Sequence, residues 1–174
     1  MNGYLSSNLD ALADGRHVVI LPPDTTSIAA PSPTVMTGCP TLSVHTPSGN
    51  ILLHSARDPL REARRWAAAR RRDTAPSHIL VFGFGLGYHL EAMLEDSPGV
   101  ESLTVVEANP AVMRAALETR DLRGLLTNDT FRLISGPFEE IRGRVVEYAD
   151  TAGDEKNSAV LVHRPSMEAL RETE

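Results

Sequence analysis

The second half of the chain alternates between short apolar segments and longer segments whose apolar residues recur at helical spacing. The apolar segments predict β-strands at residues 79–82, 103–106, 131–135 and 159–163. The segments between them predict α-helices at residues 88–95, 111–118 and 138–148, and a short helix follows the last strand. Because strands that alternate with helices form parallel βαβ units, the sequence predicts an α/β, Rossmann-like fold.

The first 57 residues differ in composition from the rest and are rich in proline, at positions 22, 23, 31, 33, 40 and 47. Short β-like runs occur at residues 17–21, 41–46 and 50–54, and the last two flank a Pro-Ser-Gly turn. We expect residues 22–40 to form an irregular loop, because proline lacks the donor that a central strand needs. We therefore expect a small β appendage with one hairpin and a proline-rich loop (1–57), followed by a Rossmann-like domain (58–174) that lacks the C-terminal part of its sheet.

A helix is predicted to begin at Pro59, with Asp58 as its N-cap. Trp66 lies on the apolar face of this helix and is expected to pack on the body of the domain. His54, Ser55 and Asp58 are residue types that also occur in nucleophilic triads, which need mutual hydrogen bonds that chain proximity does not guarantee. Helix capping is the simpler explanation of Ser55 and Asp58.

A glycine-rich turn, Gly83-Phe84-Gly85-Leu86-Gly87, joins the first predicted strand of the body to the helix that begins at Tyr88. Glycines permit backbone conformations closed to other residues, and the first turn of a helix leaves amides free to bind an anionic or polar ligand. Gly83, Phe84, Gly85, Gly87 and Tyr88 are therefore candidate ligand-binding residues. The alternative is that the glycines only allow helix and strand to pack closely.

Two further pairs of candidate residues follow the second and the fourth predicted strands of the body. Glu107, with the adjacent Ala108, ends the second strand of the body, where a carboxylate can accept the two hydroxyls of a ribose. His163 and Arg164 end the fourth strand and are candidate anion-binding residues, although a strand-end turn shaped by Pro165 is the preferred explanation. His89 faces either the same crevice or solvent.

Composition limits the partners that we expect. The net charge of −6 argues against a nucleic-acid surface, since Lys and Arg neutralise phosphates in such complexes. There is one cysteine and no leader-like or membrane-spanning apolar segment, so a cytoplasmic location without membrane contact is expected. No Cys and His spacing indicates a metal site.

The segment LLHSARDPLREARRW, followed by ILVFGFGLGYHL and VVEANP, resembles the N-terminal Rossmann-like part of the motility accessory factor family. These bacterial proteins act in flagellin glycosylation, and their relatives include hydroxymethylpterin diphosphokinases of the MptE-like type. The resemblance runs from about residue 51 to 166. In that family the transferase chemistry belongs to a following domain, so the resemblance implies a supporting or ligand-holding module, with a C-terminal transferase domain or a second copy of the chain as partner.

The glycine spacing GxGxG is also similar to that of S-adenosylmethionine-dependent methyltransferases and of aminopropyltransferases. That resemblance implies S-adenosylmethionine, or another nucleoside-containing small molecule, as the ligand, with Glu107 on its ribose. The chain departs from the pattern at Gly136-Pro137, where those enzymes carry an acid for adenine, and Glu139 or Glu140 is the substitute that the sequence offers. An active S-adenosylmethionine-dependent transferase is the alternative function, and no catalytic residue is assigned.

Overall fold

The computed structural model describes residues 3–22, 29–70, 76–151 and 157–173. In chain order its elements are α1 (Leu5–Ala11), β1 (Val18–Val19), β2 (Ala29–Pro33), β3 (Pro40–Thr46), β4 (Gly49–Leu52), α2 (Pro59–Ala68), β5 (His78–Phe82), α3 (Tyr88–Asp96), β6 (Ser102–Glu107), α4 (Pro110–Thr119), α5 (Arg123–Leu126), β7 (Phe131–Ser135), α6 (Phe138–Thr151), β8 (Ser158–Val162) and α7 (Arg164–Thr173). The four strands and three helices predicted for the body lie within three residues of their observed bounds.

A parallel sheet of five strands in the order β1-β7-β6-β5-β8 forms the centre of the fold. From β5 the chain steps outward to β6 and β7 and then returns to β8 on the other side of β5. The strand order therefore reverses between β5 and β8. In open α/β sheets the crevice at the carboxyl ends of two such strands is the usual ligand position. The fold is α/β and Rossmann-like, as predicted.

The predicted assignment of residues 17–21 to the small β unit was wrong. Val18 and Val19 pair in parallel with Ile134 and Ser135 of β7, so β1 is the fifth strand of the main sheet. β1 pairs with the edge of β7 although the two strands are far apart in the chain. The local pattern of apolar residues does not reveal a pairing of this kind. The division of the chain at residue 57 stays a prediction.

The small sheet is antiparallel, with the order β2-β3-β4, and it contains the predicted hairpin of β3 and β4. The expected irregular loop at residues 22–40 was wrong in part, because Ala29–Pro33 forms the edge strand β2. Pro31 and Pro33 are two residues apart, so both present their donor-free nitrogens to the same side of an edge strand, where proline is tolerated. Residues 23–28 lie outside the described residues.

Two apolar clusters cover the two faces of the main sheet. The larger cluster joins α2, α3 and α4 to the sheet and includes Phe84, Leu103 and Phe131, all fully buried. The smaller one places Ile141 of α6 against Val106 and Ile134. Trp66 packs on the larger cluster, as expected, with its ring edge-on to His89 at 4.9 Å.

Asn8 fixes α1 to the end of α4. Its side chain is completely buried, and its amide nitrogen donates to the carbonyl oxygens of Leu117 and Arg120 at 2.8 and 2.7 Å. Its side-chain oxygen accepts from the Leu122 N–H at 3.0 Å. Because all three partners belong to a segment more than a hundred residues away in the chain, this one side chain connects the two parts of the domain.

His17 makes a second long-range connection, beside β1. Its Nε2 lies 3.0 Å from the Leu126 carbonyl oxygen, which can only accept, and its Nδ1 accepts from the Leu133 N–H at 3.1 Å. Burial lowers the pKa of His17, and the carboxylate of Asp14, 3.9 Å away, opposes that shift. The ring is therefore held in its neutral form with the proton on Nε2.

Within the described ranges, none of the helices has the length and apolar character needed to cross a membrane.

Candidate functional site

The glycine turn follows β5 at the carboxyl edge of the sheet. Gly85 has a φ of +54°, and a Cβ atom there would lie 2.5 Å from His54 Nε2. A Cβ atom at Gly83, whose φ is +99°, would lie 2.6 Å from the Cβ of Ser166. Both positions thus require glycine twice, for the backbone conformation and for the close approach of another side chain. The close-packing alternative accounts for these two glycines.

Three consecutive backbone amides of this turn donate hydrogen bonds to side chains of the protein itself. The Phe84 N–H donates to Glu107 Oε2 at 2.8 Å, and the Gly85 N–H reaches the same oxygen at 3.4 Å. The Leu86 N–H donates to His54 Nε2 at 2.7 Å. Phe84 and Gly85 are candidate ligand-binding residues from the sequence, and in this structure their amides, with that of Leu86, stabilise the turn internally.

Glu107 is 2% exposed, and both of its carboxylate oxygens are engaged. Oε1 accepts from the Asn109 N–H at 3.0 Å, while Oε2 accepts from the glycine turn. Burial raises the pKa of the Glu107 carboxyl, and the three backbone donors oppose that rise. Glu107 therefore lies beside the turn as the sequence predicts, and its contact with a ribose stays a prediction.

The two aromatic candidates are used in packing. Phe84 is fully buried and meets Phe131 in a T-shaped contact at 6.5 Å between centroids. Tyr88 is 2% exposed and donates its hydroxyl to the Pro40 carbonyl at 2.8 Å, and burial raises its pKa to about 12. Neither ring presents a free face for stacking on a base, whereas Ala108 is partly exposed.

Arg120 was not predicted from the sequence, and its guanidinium contacts both Leu86 of the turn and the adjacent Tyr88. Its guanidinium lies 3.9 Å from the centre of the Tyr88 ring and donates to the Leu86 carbonyl at 2.5 Å. A second nitrogen of the same group pairs with Glu91 at 2.8 Å. No local signal marks this residue, since its partners come from a distant part of the chain.

Residues 54–63, with the sequence HSARDPLREA, have a structural role at the start of α2. Asp58 accepts from the Arg61 N–H at 2.9 Å, and the Ser55 hydroxyl oxygen accepts from the backbone of Arg57 and Asp58 at 3.2 Å. Glu62 accepts from the Ser55 N–H at 2.7 Å. The capping explanation is confirmed, and Ser55 is paired with backbone groups rather than with a base.

Three histidines meet at the carboxyl ends of β5 and β8. His54, His89 and His163 are each at most 4% exposed, and each offers a nitrogen within 4.8 Å of those of the other two. The rings of His89 and His163 stack at 4.2 Å between centroids with an interplanar angle of 8°, and His54 stacks on His163 at 5.1 Å. We call these residues the histidine cluster. The spacing of these residues along the chain predicted no metal site, and it is the fold that brings the three side chains together.

Hydrogen bonds fix the protonation of two rings of the histidine cluster. His89 Nε2 lies 3.1 Å from the Gly83 carbonyl oxygen and must carry the proton, so Nδ1 has a free lone pair. That Nδ1 is buried and has no hydrogen-bond partner among the described residues. His54 Nε2 accepts from Leu86, so its proton is on Nδ1, 4.0 Å from a carboxylate oxygen of Glu62.

Burial also keeps the histidine cluster neutral. It lowers the pKa of His54 and His89 well below 6.5, and the pKa of His163 to about 4. The neighbouring imidazoles and the guanidinium of Arg70 add to the effect, because a positive charge on one group disfavours a positive charge on the next.

The structure does not bring the two candidate anion-binding residues together. His163 is buried and its Nδ1 lies 2.7 Å from the Ser166 hydroxyl, whereas Arg164 is exposed. Arg164 lines a shallow groove of about 420 Å³ along α7 with Val162, Met167 and Leu170. The pair therefore does not form one anion site in this structure.

Several solved structures resemble the chain at low identity. Spermidine synthase from Thermotoga maritima has 12% identity and a TM-score of 0.34, with 80% of this chain and 40% of that chain covered. The SAH-bound methyltransferase of Podospora anserina has 18% identity and a TM-score of 0.36, with coverage of 66% and 56%. The Maf glycosyltransferase from Magnetospirillum magneticum has 16% identity and a TM-score of 0.40, with coverage of 96% and 25%.

The chain thus spans between a quarter and little more than half of the length of these structures. No curated protein matches its sequence. Residues 36–130, more than half of the chain, match the family described as Glycosyltransferase Maf N-terminal domain. This match includes the small sheet from β3 onward, α2, the glycine turn and Glu107. The chain belongs to the Maf glycosyltransferase N-terminal domain family.

Proposed function

We propose that this chain is a supporting module of a Maf-type glycosyltransferase, without a catalytic centre of its own, and that it acts beside a transferase domain. Its membership of the N-terminal domain family supports the setting in glycosyl transfer. The observation that carries the proposal is the occupation of the Phe84, Gly85 and Leu86 amides by Glu107 and His54. A turn whose amides are hydrogen-bonded to side chains of the same protein has a structural role.

Opening this turn for a ligand has an energetic cost. A buried backbone donor that loses its partner costs about 1–3 kcal/mol, and three such donors are satisfied here by buried side chains. A nucleoside ligand would have to offset that cost before it gained any net affinity. The proposal therefore predicts negligible binding at the glycine turn.

Isothermal titration with S-adenosylmethionine, S-adenosylhomocysteine and a sugar nucleotide tests the proposal on the unaltered chain. We expect no saturable heat with any of the three compounds. Saturable binding that disappears in both Glu107→Ala and Gly85→Val, while thermal unfolding shows both variants to be folded, would overturn it. Equal binding by all three proteins would place the ligand elsewhere.

The second candidate function is binding of S-adenosylmethionine or another nucleoside-containing ligand through Gly83, Phe84, Gly85, Gly87, Tyr88, Glu107 and Ala108. The position of Glu107 favours it, since its carboxylate lies beside the turn at the carboxyl ends of neighbouring parallel strands. On this proposal Glu107 exchanges the backbone donors for a ribose diol. An active transferase additionally predicts turnover of labelled S-adenosylmethionine with some acceptor, and absence of turnover over a broad acceptor panel would exclude that form.

A further inference from the structure

The histidine cluster lies where the strand order reverses between β5 and β8, which is the usual position of a ligand in an open α/β sheet. His163 follows β8, His89 lies in the first turn of α3 and His54 follows β4. The three imidazole side chains thus come from three different segments of the chain and lie close together. Each ring is almost completely buried, so none of them contributes to a solvated surface.

We propose that His54, His89 and His163 bind one divalent transition-metal ion, for which Zn²⁺ is the natural probe. Neutral imidazole nitrogens are preferred ligands of zinc, and three of them with an open fourth position form a recurrent zinc site. The site shares His54 with the glycine turn, so metal binding would withdraw His54 Nε2 from the Leu86 amide, one of the three internal contacts on which the proposed function rests.

An orphaned lone pair is the first observation that supports the metal. His89 donates its Nε2 proton to the Gly83 carbonyl, which leaves Nδ1 with a lone pair that is buried and has no partner among the described residues. A ligating histidine typically has this arrangement, with its other ring nitrogen bound to a backbone carbonyl. A buried acceptor without a partner costs free energy that a metal ion would recover.

His54 has the complementary arrangement. Its protonated Nδ1 faces the carboxylate of Glu62 at 4.0 Å, and Nε2 is the nitrogen that faces the turn. A carboxylate behind a histidine fixes the tautomer and raises the basicity of the ligating nitrogen. On binding, the metal replaces the Leu86 N–H at Nε2, and a water in the fourth position accepts that N–H.

The distances require a modest closure of the site. The ligand nitrogens lie within 4.8 Å of one another. Zn–N bonds of about 2.0–2.1 Å in a tetrahedral site place ligand nitrogens roughly 3.4 Å apart. Closing this gap requires the imidazole rings to rotate about their side-chain bonds, which ends the parallel stacking of His89 on His163, because the lone pairs of an imidazole lie in the plane of its ring.

The test is a Zn²⁺ titration of untagged, chelator-treated protein at neutral pH, in competition with a chromophoric chelator. We expect one equivalent per chain. His89→Phe keeps an aromatic ring against His163 and removes the ligand, and should weaken binding at least about 100-fold, whereas Glu62→Gln should weaken it roughly tenfold. The exposed His45, changed to Phe, is the matched control and should bind as the unaltered protein does.

Absence of stoichiometric binding, or equal binding by the unaltered protein and His89→Phe, would overturn the proposal. So would loss of binding in the His45 control, which would indicate a surface site. If His89→Phe does not fold, His163→Asn replaces it. Ring ¹⁵N shifts of the unaltered protein give a reading without any variant, because Zn²⁺ must shift three histidines of the cluster, and unchanged shifts contradict the site.

Discussion

Replacement of Gly85 by alanine tests whether the glycine turn is built for close packing. The new Cβ atom would lie 2.5 Å from His54 Nε2, so the imidazole must move and release the Leu86 N–H. The left-handed backbone at a φ of +54° adds a second penalty of about 1–2 kcal/mol. With about 1–3 kcal/mol for the orphaned buried amide, we expect Gly85→Ala to lower the free energy of unfolding by about 2–5 kcal/mol.

The matched control is Gly38→Ala. Gly38 has a similar φ of +66°, but a Cβ atom there would meet nothing within 4 Å. This variant therefore measures the backbone penalty alone, and the difference between the two variants is the cost of displacing His54. Urea unfolding provides the measurement, with fluorescence of Trp66, the single tryptophan, as a probe beside His89.

Two results would refute this reasoning. The first is an equal loss of stability in Gly85→Ala and Gly38→Ala, which would mean that His54 does not constrain the turn. The second comes from a double-mutant cycle, since the excess cost of Gly85→Ala should vanish once His54 is replaced by alanine. An excess that persists in that background would assign the clash to some other group.

Three further predictions concern the supports of the fold. Asn8→Ala should lower the free energy of unfolding by roughly 3 kcal/mol, because three buried backbone groups lose their partner, whereas exposed Asn50→Ala should change it by less than about 0.5 kcal/mol in the same urea assay. Asp58→Ala should cost about 1 kcal/mol through loss of the α2 cap, and an unchanged urea midpoint would contradict the capping role. The pKa of His17 in the folded protein lies below 6.5, so the stability that His17 contributes is complete above pH 6.5 and is lost as the pH falls towards the folded pKa. His17→Gln should therefore reduce the slope of unfolding free energy against pH on the acid side. An unchanged slope would disprove this role of His17.

The strands and helices of the body could be predicted because their signals are local. Runs such as residues 79–82 and 103–106 are apolar and β-branched, and prolines and caps mark where α2 and α4 begin. Strand β2 was missed because two prolines in five residues argue against a strand unless it lies at an edge, and edge position depends on the whole sheet. The two-residue strand β1 owes its place to Ile134 and Ser135, far along the chain.

For the candidate site, the sequence located the glycine turn and Glu107 next to each other, and the structure places them in contact. It could not show that His54 contacts the turn, since that hydrogen bond joins two segments that follow strands of two different sheets. The histidine cluster was invisible for the same reason. Its members have no spacing typical of a metal motif, and only the return of the chain to β8 brings His163 over His89.

The contact between His54 and Leu86 also bears on how the abundance of this protein is controlled in a cell. Many metabolite-binding domains are more resistant to proteolysis when their ligand is plentiful, because occupancy adds to the stability of the native state. Here the occupant is covalently part of the polypeptide, at a local concentration that no change in metabolism alters. In the metal-free chain the stability that this contact gives the turn is therefore set by the sequence and does not vary with the concentration of a metabolite.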